Sequence, residues 1–148
     1  MSKISLEVQI DAPVEKVFEL LQDPIRLPEF WPNLIEVNKV RPSSLGGFDY
    51  SWVYRLNDLQ IEGRTRVMEF LTNRRLVTQM TKGLQGLTTW DLQDDGEETL
   101  LVFEMHYEIP HSLLKGRPEQ TFIEKSERDV EAMLENLKQK AEAELVHA

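Results

Sequence analysis

Polar and apolar positions alternate at the start of the chain. Ile4, Leu6, Val8 and Ile10 are separated by polar residues, the signature of a half-buried strand. The period then changes. In "DAPVEKVFELLQD", Val14, Val17, Phe18 and Leu21 follow the i, i+3, i+4, i+7 spacing of a one-sided helix. Pro13 suits a first helical position, with Asp11 or Ala12 near the cap, and Pro24 ends the helix. "IRLPEF" predicts a second, very short helix broken at Pro28. Trp31-Pro32 ends it, because a residue before proline is pushed out of the helical region.

From Leu34 the period is two. Strands are predicted over 34–41, 47–56, 59–70, 75–81, 86–93 and 99–109, separated by Gly46-Gly47, Asn57-Asp58, Asn73 and Asp95-Gly96. "PHSLLKGRPEQ" reads as a linker. After Pro118 one helical pattern runs to about Val146, with Phe122, Val130, Met133, Leu134, Leu137, Ala141 and Leu145 on one side and Glu, Lys, Arg and Asp on the solvated other side.

Strand, two short helices, six strands and a long helix imply an α+β fold with a mostly antiparallel sheet, in a single domain over 1–148. The last helix, about 28 residues, is roughly 42 Å long at ~1.5 Å per residue. A straight helix cannot fill a twisted, curved sheet of seven strands. The space between them must hold large side chains, the short helices or a ligand. This gives a purpose to the stiff apolar segment "LPEFWPNL": at one end of the sheet it can plug or gate that space, with Phe30 and Trp31 filling core or touching a ligand.

Period two also selects candidate lining residues. Phe48, Tyr50, Trp52 and Tyr54 share a face of one strand. Gly63, Thr65 and Val67 share a face of the next, and their small size suits a crowded concave side. Thr88, Trp90 and Leu92 form another set, as do Leu101, Phe103, Met105 and Tyr107. Met80 suits an adaptable wall. The expected lining is drawn from Tyr50, Trp52, Val67, Met80, Trp90, Phe103, Met105 and Tyr107 of the strands, with Met133 and Leu137 of the long helix.

Composition narrows the chemistry. Lysine and arginine total 17 against 26 aspartate and glutamate, a formal net charge of -9, so an acidic surface repels phosphate backbones and no nucleic-acid partner is expected. Arg64/Arg66 and Arg74/Arg75 read as solvated strand and turn residues. No cysteine is present, which removes disulfides, thiolate nucleophiles and Cys-ligated metals and fits a reducing cytoplasm. The N-terminus lacks the apolar run of a signal peptide, and no stretch reaches the ~18 apolar residues of a membrane span. A cytoplasmic location follows as the expectation, and the oligomeric state stays open.

Catalytic signals are sparse. Glu104 and His106 alternate against Phe103, Met105 and Tyr107 and read as an outer face; with the faces reversed they would form an acid/base pair inside the cavity. His111 reads as an exposed loop residue, and His147 carries no role. The histidines lack ligand spacing for a metal. Ser51, Ser112 and Ser126 lack a nucleophile-elbow context, and Gly83 and Gly86 match no phosphate-binding loop. No cofactor is expected.

Taken together, "IDAPVEKVFELLQDPIRLPEFWPNLIEV", the glycine turn, "EGRTRVMEF" followed by "RRLV", "GLQGLTTWDL" and the long terminal helix resemble the polyketide cyclase/dehydratase-like branch of the START/birch-pollen-allergen (SRPBCC) superfamily, over nearly the whole chain. The resemblance implies the helix-grip fold, seven antiparallel strands wrapped around the terminal helix with an apolar cavity between. It also implies ligands such as lipids, sterols, quinones, polyketides or plant hormones, with a minority of members being enzymes that share no single catalytic motif. The expectation is therefore a binder of an apolar or amphipathic small molecule. The alternatives are a cyclase/dehydratase-like enzyme and a protein-interaction module of a membrane or redox complex. Buried, hydrogen-bonded ionisable residues would favour the enzyme, an open apolar cavity the binder, and a filled core with an apolar surface patch the module.

Overall fold

The computed structural model describes residues 2–146; His147 lies outside them. Strand β1 (Ser2–Ile10) leads into helix α1 (Val14–Leu21) and a 3₁₀ helix (Pro24–Glu29). Six strands follow: β2 (Leu34–Pro42), β3 (Phe48–Leu56), β4 (Leu59–Leu71), β5 (Arg75–Lys82), β6 (Gln85–Asp94) and β7 (Thr99–Glu108). Helix α1 starts at Val14, where its apolar spacing begins, so Pro13, expected at the first helical position, instead stays extended at the cap position. Asp23 caps the 3₁₀ helix by accepting the Ile25 amide at 3.1 Å.

The seven strands form one antiparallel sheet in the order β1-β7-β6-β5-β4-β3-β2. The hairpins turn on Asn57 and Asn73, both at positive φ, and on Gly96. The register slips twice between β2 and β3 and twice between β4 and β5. Such irregularities bend and twist strands, and they leave this sheet concave on one side.

The segment read as a linker is partly helical. His111–Leu114 forms a single turn, α2, that ends at Lys115 in the left-handed region. The long helix α3 (Glu119–Val146) then packs on β1 and α1 and reaches β3. Its buried stripe holds Phe122, Val130, Met133, Leu134, Leu137 and Ala141. Two positions depart from the expectation. Leu145, placed on the packed side, is 36% exposed. Asp129, assigned to the solvated face, is only 3% exposed. It lies seven residues after Phe122 and four before Met133, so helical geometry places it within the apolar stripe.

Charge pairs fasten the short helices to the end of α3. Glu144 accepts from Lys16 at 2.9 Å and from Arg26, and Lys140 reaches Glu29 at 2.9 Å. The Arg26 guanidinium, with Lys16 second, holds the Glu144 carboxyl down at about 2.

Candidate functional site

Where α3 lies against β1, beside β7, helix and sheet close completely. Farther along the sheet they part, and α3 meets it again at β3, where the Tyr54 hydroxyl donates to Asp129. The gap is roofed by the end of α1, the 3₁₀ helix and Trp31. Its free volume, counted as room for the centre of a water molecule, is about 90 Å³; all atom-free space, including the mouth that opens to solvent, is about 940 Å³. Leu21, Pro24, Leu27 and Trp31 form the roof, and Ser126 and Val130 of α3 form one side.

The concave sheet face supplies the floor. Of the residues selected from the sequence, Tyr50, Trp52, Val67, Met80, Trp90 and Met105 line the cavity. Phe103, Tyr107, Met133 and Leu137 do not; all four are fully buried in the closed part of the core. The reason is tertiary. The concave face is continuous, but α3 packs mainly on its β1 side and touches β3 only locally, so β7 residues such as Phe103 and Tyr107 become packing rather than wall. Phe103 still backs the wall, with its ring 4.7 Å from Trp90 and 6.1 Å from Trp31, both edge-to-face. Trp31 completes the cluster at 5.9 Å from Trp90.

The plug segment therefore divides its work. Phe30 is core, while Trp31 is wall. Three hydrogen-bonded links fix the segment. The Arg55 amide donates to the Asn33 carbonyl at 2.8 Å, and Asn136 Nδ2 of α3 donates to the Phe30 carbonyl at 3.1 Å. Asn33 Nδ2 donates to both carboxylate oxygens of Asp129 at 3.1 Å. Asn33 stands at φ 69°, a conformation asparagine tolerates better than most side chains.

Asp129 is the hub of this corner. Besides Asn33 it accepts from the Tyr54 hydroxyl and from Lys125 Nζ at 2.8 Å. Burial, reinforced by the hydrogen bond to Asp129 and its charge, raises the Tyr54 pKa far above the ordinary phenol. Burial pushes Tyr50 up to about 12, partly offset by the Thr65 hydroxyl. Both phenols that line the cavity thus keep their protons at neutral pH. Burial also raises Tyr107, whose hydroxyl has no hydrogen-bond partner among the described residues.

Several polar wall groups stand outside the expected lining: Thr65 and Thr88 fall on candidate faces of their strands without entering it, and Thr78 is not singled out by the sequence. Thr65, Thr78 and Thr88 are 5%, 7% and 6% exposed and line the floor on neighbouring strands β4, β5 and β6. The signal for Thr78 lies in the same period-two pattern, but threonine is so common in strands that it does not stand out. Thr65 accepts the Trp52 indole N–H at 2.9 Å. Ser126 is buried on α3, four residues after Phe122.

The remaining candidates lie elsewhere. Glu104 is on the outer face, within 3.4 Å of Ser5 and 3.6 Å of Lys3, and His106 pairs with Lys3 across β1. His111 is exposed on α2. Among the described residues no cluster of three His, Cys, Asp or Glu side chains is placed to hold a metal ion, and no helix is long and apolar enough to cross a membrane.

The profile of the family described as "Polyketide cyclase / dehydrase and lipid transport" matches residues 1–142. The chain belongs to this family. No curated protein matches it. Solved structures share its helix-grip fold at low identity. The Zhui aromatase/cyclase from Streptomyces sp. R1128 superposes with a TM-score of 0.82 at 17% identity, covering 97% of this chain and 95% of its own. The protein TTHA0849 from Thermus thermophilus gives 0.80 at 20% identity, covering 96% and 98%. A START superfamily protein from Mycobacterium smegmatis gives 0.79 at 14% identity, covering 95% and 97%. Membership thus agrees with the resemblance drawn from the "APVEKVF" opening, the strand motifs and the terminal helix.

Proposed function

We propose that this member of the polyketide cyclase/dehydrase and lipid-transport family binds an apolar or amphipathic small molecule between the sheet and α3. The observation that carries the reading is the cavity itself, walled by Trp31, Trp52, Trp90, Val67, Met80 and Met105 and by a few uncharged hydroxyls. Concave, mostly apolar sites with a few placed polar groups are the usual form of small-molecule sites. The absence of cysteine fits action in the cytoplasm.

A second reading, cyclisation or dehydration of a bound polyketide-like chain, draws support from the family description and from the buried Asp129–Tyr54 pair. In that reading the walls would act by folding the chain into a reactive geometry, because Tyr50 and Tyr54 hold their protons too tightly for base chemistry at neutral pH. The interaction-module reading called for a filled core and gains no support from an open cavity.

The test is binding of an environment-sensitive apolar dye to native protein. Saturable binding that weakens in Trp90→Ala and is untouched in Glu127→Ala is the expected result. Native protein that takes up neither dye nor any co-purified small molecule would sink both ligand readings.

A further inference from the structure

The cavity floor carries a pattern that simple apolar binding does not require. Thr78 and Thr88 sit directly opposite each other on β5 and β6, and Thr65 stands diagonally across on β4, where it pairs with Tyr50 of β3. All three threonines are buried and line the cavity. A pocket for plain hydrocarbon is served by valine, which has the same shape and nothing to satisfy; an unpaired buried hydroxyl is unfavourable. Thr65 is already engaged, since it accepts from the Trp52 indole and its hydroxyl bonds Tyr50, which leaves the Thr78 and Thr88 pair as the hydroxyls open to a guest. The Thr78 and Thr88 hydroxyls belong to residues that line the cavity and, unlike the Tyr107 hydroxyl, are not sealed polar atoms left without a partner.

Charge sharpens the picture. No Lys, Arg, His, Asp or Glu is found among the described residues that line the cavity. The buried charge touching the lining is a carboxylate, Asp129, bonded to Tyr54. An anionic group entering this space would lose its water and meet no cation.

Resting on the ligand-binding reading above, we infer that Thr78 and Thr88 select ligands by an uncharged oxygen function, carbonyl or hydroxyl, on a flat apolar body, and that the cavity rejects carboxylates of the same shape. The body lies against Trp31 and Trp90 while its oxygen meets the threonine pair. Free fatty acids and other carboxylate-headed lipids are then excluded unless the head stays outside the mouth.

The experiment uses the full chain near neutral pH and follows tryptophan fluorescence with three probes: naphthalene, acetylnaphthalene and naphthoate. Acetylnaphthalene is expected to bind most tightly and naphthoate at least about tenfold more weakly. In the shape-conserving double variant Thr78→Val/Thr88→Val the ketone is expected to lose about tenfold, roughly the worth of one good hydrogen bond, while naphthalene holds or gains. Thr88→Ser, which keeps the hydroxyl, is expected to retain the ketone preference and serves if the double variant folds poorly. Naphthoate binding as tightly as the ketone overturns the inference while the cavity reading stands. So does a ketone affinity unmoved in a folded double variant. Failure of all three probes and of the apolar dye removes the ligand-binding reading along with it.

Discussion

Gly63 and Trp52 face each other across β3 and β4, and the indole fills the space that a side chain at 63 would need. A Cβ built there would come within 2.1 Å of the ring. The backbone at Gly63 has no positive φ, so the glycine serves space rather than conformation. Gly63→Ala should push the indole off the floor and break its hydrogen bond to Thr65, with a loss of about 1–3 kcal/mol typical of overpacking. Urea unfolding monitored by tryptophan emission checks this; an unmoved midpoint would contradict the packing described.

Asp129 should be among the most sensitive polar positions. Asp129→Ala leaves the Tyr54 hydroxyl and the Asn33 amide without their acceptor, and about 2–4 kcal/mol should be lost. Backbone amides near Trp31 should exchange faster in the variant, since one of the three fastenings of that segment is gone. Unchanged stability and unchanged exchange would show that the cluster holds nothing.

Acid should loosen the attachment of the short helices to α3. The Glu144 carboxyl sits at about 2 in the folded protein against an ordinary 4.5. Its contribution is therefore complete above about 4.5 and fades as pH falls towards 2. Glu29 and Glu142 are lowered as well and act in the same direction, so Glu144→Gln should reduce the acid slope of stability without abolishing it. Urea midpoints of both proteins across that range give the comparison. Identical slopes would remove Glu144 from the account.

Leu137→Ala should cost about 2–5 kcal/mol, since Leu137 is fully buried on the packed side of α3 and its truncation leaves a cavity where helix and sheet are in contact. Because Leu137 is not on the ligand wall, dye affinity per folded molecule should stay near that of the parent. Thermal melts and a dye titration separate the two effects, and a melt like the parent's would count against the helix packing.

Much of this architecture was legible in the chain. Strict alternation along β4 separated Gly63, Thr65 and Val67 from Arg64, Arg66 and Met68, and the structure divides them in that way. The helical stripe from Phe122 to Ala141 was equally plain. What sequence could not supply was the lateral position of α3 on the sheet. Phe103 and Met105 share one face of β7 and are indistinguishable by pattern, yet one is core and the other wall. Asp129 was misplaced for a different reason: residue type outweighed position, although its spacing from Phe122 and Met133 pointed inward. The 111–114 turn was hidden between two prolines and is too short for a periodic signal.

The segment bearing Trp31 is no regular element. It hangs from Arg55 on one strand and from Asp129 and Asn136 on the long helix. One wall of the cavity is therefore suspended rather than built, and its give depends on fastenings that lie behind it. How firmly a guest is held is set partly by side chains that no guest ever meets.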